Sequence, residues 1–130
     1  VKIVVPTTVW LARKRSKSKR FALNLNVYRN AHYQILNNAK RQFYEDVYPM
    51  LRRLPKLSPP IKLQYAIYFA QRRGDVANVG SVVDKFFCDA LVKSGHIPDD
   101  NYRMVSEISF KYGGIAPKNP RCEVVIFENC

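Results

Sequence analysis

Five of the chain's ten acidic residues, Asp75, Asp84, Asp89, Asp99 and Asp100, fall within one stretch, GDVANVGSVVDKFFCDALVKSGHIPDD at positions 74–100. The rest of the chain is strongly cationic, with 22 Lys and Arg against 10 Asp and Glu and a net charge of +12. Carboxylates gathered inside a basic protein suit a hard divalent cation. Mg²⁺ takes oxygen ligands, keeps several waters, and is satisfied by one or two carboxylates plus a substrate phosphate. Such an ion activates water, stabilises a leaving oxygen and offsets the repulsion between acids and a polyanion. The chemistry this combination points to is phosphodiester hydrolysis beside a surface that attracts nucleic acid.

Helical spacing refines the set. At about 100° per residue, Asp75, Asn78, Val82, Lys85 and Asp89 project within an arc of about 80°, provided the helix reaches back to residue 75. Asp84 falls nearly opposite Asp75 and outside that group. Asp99 and Asp100 follow in the turn after the helix, where the chain must double back toward a sheet, and that turn is expected to approach Asp75. Each residue also has an ordinary use. Asp99-Asp100-Asn101 makes a common turn, and Asp89 and Lys85 are unremarkable on an exposed helix face, so spacing alone leaves both readings open.

The positive charge is unevenly arranged. Residues 1–44 hold ten Lys and Arg and no acid, and six of the ten lie in RKRSKSKR at 13–20. With no acid nearby for local ion pairs, Arg13, Lys14, Arg15, Lys17, Lys19 and Arg20 read as a phosphate-contacting arm in preference to a merely solvated loop. Arg29, Arg72 and Arg73 extend this candidate surface. A +12 chain favours nucleic acid and makes an anionic membrane a distant second partner; the charge does not separate DNA from RNA.

The elements that must position these residues are legible as an α+β pattern. At 130 residues, 47% hydrophobic, the chain is expected to form one domain around one core. Residues 2–5 and 8–12 read as short strands broken at Pro6. Apolar positions at Tyr28, Ala31, Ile35, Ala39, Phe43 and Val47 predict one helix, capped by Asn24 or Asn26 and ending near Pro49. Ile61, Leu63, Tyr65, Ile67 and Phe69 alternate as a half-buried strand. Residues 78–94 follow as a helix closed by Gly95. Strands at 102–112 and 122–128, separated by Gly113-Gly114 and PKNP, predict a final hairpin. The expected order is β-α-β-α-β-β, with a mixed sheet and two main helices.

Other chemistry is poorly supported. Cys88, Cys122 and Cys130, with His32 and His96, match no zinc or redox spacing, so reduced thiols in a cytoplasmic setting are expected. No run of about 18 apolar residues predicts a membrane span. The opening VKIVVPTTVW is too short before its proline for a secretory signal.

The segment GDVANVGSVVDKFFCDALVKSGHIPDDN resembles the core motif of RusA-type Holliday-junction resolvases, and LNLNVYRNAHYQILNNAK upstream resembles a phage branch of that family, so the likeness covers most of the chain. Those proteins carry Asp-x-Asp-Asn after a strand, a helix with Lys and then DAL, and a following Asp-Asp. The resemblance implies a homodimeric, Mg²⁺-dependent endonuclease, with Mn²⁺ a possible substitute. Such an enzyme binds four-way DNA junctions and makes paired symmetric cuts during recombination, repair or phage DNA processing, leaving 5′-phosphate and 3′-hydroxyl ends. It implies a bacterial or phage-infected cell. By position, Asp75 matches the first motif acid. Asp100 matches the essential acid after the helix, and Asp99 is its supporting neighbour. Lys85 matches the motif lysine, orienting water or stabilising phosphate, and Asn78 the motif asparagine. Asp89 matches the DAL acid. Asp75, Asp100 and Asp99 are the implied metal ligands.

Two departures stand out. The Asn78-to-Lys85 segment is four residues longer than in shorter relatives, about one helical turn, and Ala77 replaces the second motif aspartate. Either another acid such as Asp84 substitutes, with Ser81 as an outer hydroxyl, or the chain is a junction binder that does not cut, or the alanine is an inactivating substitution. A ribosomal-type RNA-binding protein is a third class that the composition permits.

Overall fold

The computed structural model describes residues 1–13 and 17–128. In chain order the elements are β1 (Lys2–Val5), β2 (Thr8–Leu11), β3 (Lys19–Ala22), α1 (Leu25–Asn30), α2 (Tyr33–Leu51), β4 (Ile61–Phe69), α3 (Val76–Lys93), β5 (Val105–Ile115) and β6 (Arg121–Glu128). β1, β6, β4 and β5 form a four-stranded mixed sheet in that spatial order, while β2 and β3 form a separate antiparallel ribbon. The α+β class expected from periodicity is what the chain adopts.

Alternation in β4 sets the layers. Ile61, Leu63, Tyr65 and Ile67 are buried on one face, in register with Cys122, Val124 and Ile126 of β6. Ile3 and Val5 of β1 extend the same face. The helices pack here: Tyr65 meets Phe87 edge-on at 6.2 Å between ring centroids, and Phe86 meets Phe43 of α2 at 5.6 Å. Phe21 of the β2–β3 ribbon stacks on Phe86 at 6.4 Å and closes the far side of the core. The opposite sheet face stays open, with Val4 and Phe127 exposed.

Three expectations need correcting. The predicted single helix is two. α1 is capped by Asn24, whose side chain accepts from Val27 N–H, and ends where Ala31 turns extended. His32 then caps α2 by accepting from Gln34 N–H. The helix also runs through Pro49 to Leu51, because a proline in the last turn forfeits one hydrogen bond without ending the burial of Val47 and Leu51. Second, the 13–20 basic run is not all loop, since Lys19 and Arg20 pair with Leu11 and Trp10.

Third, β5 and β6 do not form a hairpin. β5 runs parallel to β4, and β6 lies on β4's other side. Gly113 and Gly114 sit inside β5, where a side chain on Gly113 would lie 2.7 Å from the Tyr68 ring. Of the two glycines that read as a turn, Gly113 gives room to the Tyr68 ring, and Gly114 adopts φ +144°, a conformation that side chains disfavour.

α3 is stopped cleanly. Ser94 is its C-cap, Gly95 adopts φ +81°, and the N–H groups of Gly95 and His96 bond to the carbonyls of Val92 and Leu91, a Schellman arrangement. Its approach to the sheet depends on Gly80, where an added Cβ would stand 2.5 Å from Phe110 Cδ1. Gly80→Val should therefore lower stability by roughly 1–3 kcal/mol through overpacking. Urea denaturation measures it, and an unchanged midpoint would show that the helix has room to lift.

Candidate functional site

Parallel pairing of β4 and β5 fixes where the acids go. A strand followed by a helix and a parallel strand places the helix N-terminus at the strands' C-terminal ends and its C-terminus at their N-terminal ends. Asp75 follows β4 and caps α3, its side chain accepting from Asn78 N–H at 3.1 Å. Asp99 and Asp100 precede β5, held near its first residue because Val105 N–H bonds to Asn101 carbonyl at 2.9 Å. Between these ends lies a nine-residue strand, about 26 Å at 3.3 Å per residue. The turn at 99–100 therefore does not approach Asp75, and the two carboxylates expected to share an ion lie at opposite ends of the sheet.

The acid of α3 that senses the Asp100 charge is Asp84. It sits midway along α3 on the face turned to the sheet, half-buried, and Tyr65 Oη donates to its Oδ1 at 2.6 Å. Cys88, one turn on, donates its thiol hydrogen to the same oxygen at 3.3 Å. Burial raises the Asp84 pKa, against the lowering effect of these two hydrogen bonds and of the Lys85 charge; the negative charge of Asp100 raises it further. Asp84 thus senses both the Lys85 and the Asp100 charge. Burial and the neighbouring Asp84 also drive the Cys88 thiol well above its ordinary value, so the free thiol stays protonated.

The other expected residues have structural partners. Asn78 Oδ1 accepts from Leu25 N–H at 3.1 Å and docks α1 onto α3. Lys85 lies 6.0 Å from the Tyr28 ring centroid. Asp89 pairs with Lys40 at 3.4 Å. Asp99 Oδ1 accepts from Asp100 N–H at 2.8 Å and its Oδ2 from the Asn101 side chain at 3.1 Å, so it shapes the turn that presents Asp100. Ser81 Oγ, one turn before Asp84, is buried without a hydrogen-bond partner.

Among the expected cationic groups, Arg13, Lys17, Lys19, Arg20, Arg29, Arg72 and Arg73 are exposed; Lys14 and Arg15 lie outside the described residues. Arg20 lines a cleft with Asn24, Phe69 and Val79, and Arg72 and Arg73 line another with Phe69 and Tyr112. Both clefts border the C-terminal end of β4, so cations from the ribbon and from the β4–α3 loop collect at the Asp75 end.

Among the described residues no three His, Cys, Asp or Glu side chains are grouped to hold a metal, and no helix is long and apolar enough to cross a membrane. No family model matches the chain, and no curated protein matches it.

Helical angle leaves Asp84 outside the Asp75 face, so the sequence offers it only as a substitute for the motif acid that Ala77 lacks. The signal that marks it is its setting: an acid among Val82, Val83, Phe86 and Phe87 must find a buried donor or remain costly. Because folding raises the Asp84 pKa, the folded protein holds that proton more tightly than the unfolded chain, and stability falls as pH rises through its titration. Asp84→Asn keeps an acceptor for Tyr65 without the charge. It should match the wild type in acid and melt at a higher temperature near neutral pH. Melting curves recorded against pH check this, and a constant difference across the titration would contradict the raised pKa.

Proposed function

We propose that this protein is a metal-dependent, structure-selective DNA endonuclease that acts as a homodimer on four-way junctions, with Asp84 and Asp100 as its reactive carboxylates. The observation that carries the reading is the placement of Asp84: a half-buried carboxylate, oriented by Tyr65, next to Lys85 in the chain and sensing the charge of Asp100, in a chain of net charge +12. The donor set fits a hard cation. It consists of carboxylate oxygens, with the Ser81 hydroxyl unpartnered close by on the helix and the one nearby sulfur protonated. Two carboxylates leave the remaining positions of a Mg²⁺ ion to water and a substrate phosphate. Mg²⁺ bound there supplies Lewis acidity toward the phosphodiester and a water of lowered pKa.

The protein's own groups do the rest. Tyr65 fixes the Asp84 rotamer, Asp99 shapes the turn bearing Asp100, and Lys85 balances charge at the phosphate. Arg20, Arg72, Arg73 and the basic ribbon hold the DNA backbone, which positions a duplex arm without reading its bases and suits recognition by shape. Asp75 serves as a helix cap, and Ala77, exposed in the first turn of α3, precedes Asp84 on the same helix face by two turns, about 10 Å along the axis. On this reading the missing carboxylate at 77 is not one of the reactive pair.

The experiment is cleavage of a synthetic four-way junction with Mg²⁺, Mn²⁺ or chelator. Asp84→Asn and Asp100→Asn should each lower the rate roughly a hundredfold or more while binding persists. Asp75→Ser, which keeps a capping oxygen, should cut at close to the wild-type rate. Wild-type protein that binds junctions and never cuts would identify a non-cutting junction binder. Preference for duplex RNA over branched DNA would reject the reading outright.

A further inference from the structure

We propose that β5 is a dimerisation edge, along which two copies pair antiparallel about a two-fold axis at Ser109. This names the surface for the homodimer of the reading above, but its evidence is the strand itself. β5 is an outer strand of the four-stranded sheet, so one row of its backbone N–H and C=O groups faces outward. It is eleven residues long, against four for the opposite edge strand β1. Residues 106–109, 111 and 112 are all exposed, Ile108 and Tyr112 by 41% and 58%. β5 contains no proline, and among the described residues no strand pairs with this edge. Its only charges between Val105 and Tyr112 are Glu107 and Lys111, on the open face in register with Lys62 and Ala66 of β4.

Those two charges select one register. In a two-fold antiparallel pair, opposed residues have a constant index sum. That sum must be even, so that outward-pointing backbone groups meet one another. Centring on Ser109 sets Glu107 opposite the partner copy's position 111 and Lys111 opposite its position 107, giving two cross-strand ion pairs. On the helix face it sets Ile108 against Phe110, and Ser106 against Tyr112, each twice. Centring on Ile108 puts Lys111 against Val105, and centring on Phe110 puts Glu107 against Gly113. Neither satisfies a charge. Within one chain Glu107 and Lys111 stand about 13 Å apart along the strand, and the described ion pairs use other residues. The charges thus oppose indiscriminate edge pairing while favouring one self-complementary partner. The two-fold axis runs perpendicular to the sheet, so the result is an eight-stranded sheet with both helical layers, and both Asp84 sites, on the same side.

Sedimentation of the full chain tests the idea. The wild type should be dimeric, Glu107→Lys and Lys111→Glu should each be monomeric, and the double exchange E107K/K111E should restore the dimer. In a Cys130→Ser background, where Cys88 and Cys122 are buried, Ser109→Cys should give a disulfide-linked dimer on mild oxidation. Glu107→Cys should not, because it faces position 111. A monomeric wild type, a dimer indifferent to both single reversals, or cross-linking at 107 in place of 109 would each overturn the assignment. Far-UV circular dichroism confirms folding of the single variants, and the cross-linking arm stands without them. Junction cleavage with no Ser109 cross-link rejects the surface alone; an intact dimer that never cuts bears on the function alone.

Discussion

The hydrogen bond from Tyr65 to Asp84 depends on how closely α3 lies on the sheet, and most of the molecule is arranged around that contact. Tyr65 is the fully buried centre of the central strand, flanked by β6 on one side and β5 on the other. Its ring packs against Phe87 and Phe110, leaving its hydroxyl to reach the helix at 2.6 Å. Gly80 makes the approach possible by leaving room for Phe110. A buried tyrosine hydroxyl needs a partner, and an acid in an apolar helix needs a donor. Each supplies the other's requirement.

The same contact creates a tension. Burial disfavours the Asp84 carboxylate, while Tyr65, Cys88 and Lys85 favour it. The ionised form of Asp84 is therefore held by a balance of opposed effects, with burial and Asp100 against it and three neighbours for it. The residues around it are inert by the same logic. Burial keeps both described thiols protonated, with Cys122 pushed up to about 12. His96 is likewise engaged, between the Ser94 hydroxyl and the Leu54 carbonyl.

Charge is mixed along the sheet axis. Arg20, Arg72 and Arg73 gather beyond the C-terminal end of β4. Asp84 lies midway along α3, and Asp100 precedes β5 at the other end, where Arg52 and Lys56 line a cleft by the α3 C-terminus and Arg103 is exposed. The half-buried carboxylate therefore has cations beyond both ends of its helix, which raises the local potential for anions along its length.

The alternation of β4, the capping residues Asn24 and Asp75, and the Gly95 stop are local properties, and the sequence determined them together with the α+β class and the charge excess. Each depends on residues a few positions apart. Where the chain went next was decided by tertiary structure. Gly113-Gly114 has the composition of a turn, yet it lies in a strand, where Gly113 leaves space for the Tyr68 ring and Gly114 takes a positive φ beside a shift in the β4–β5 register. The last two strands have the spacing of a hairpin, yet β4 separates them because pairing partners are chosen by burial over the whole sheet. Helical angle grouped Asp75 with Lys85 and left Asp84 outside that face. The parallel β4–β5 pairing then carried Asp99 and Asp100 to the end of the sheet away from Asp75, so that Asp84 is the helix acid that senses the Asp100 charge. A one-dimensional spacing records which residues share a helix face; only the strand direction beneath it sets which end of that helix a later turn reaches.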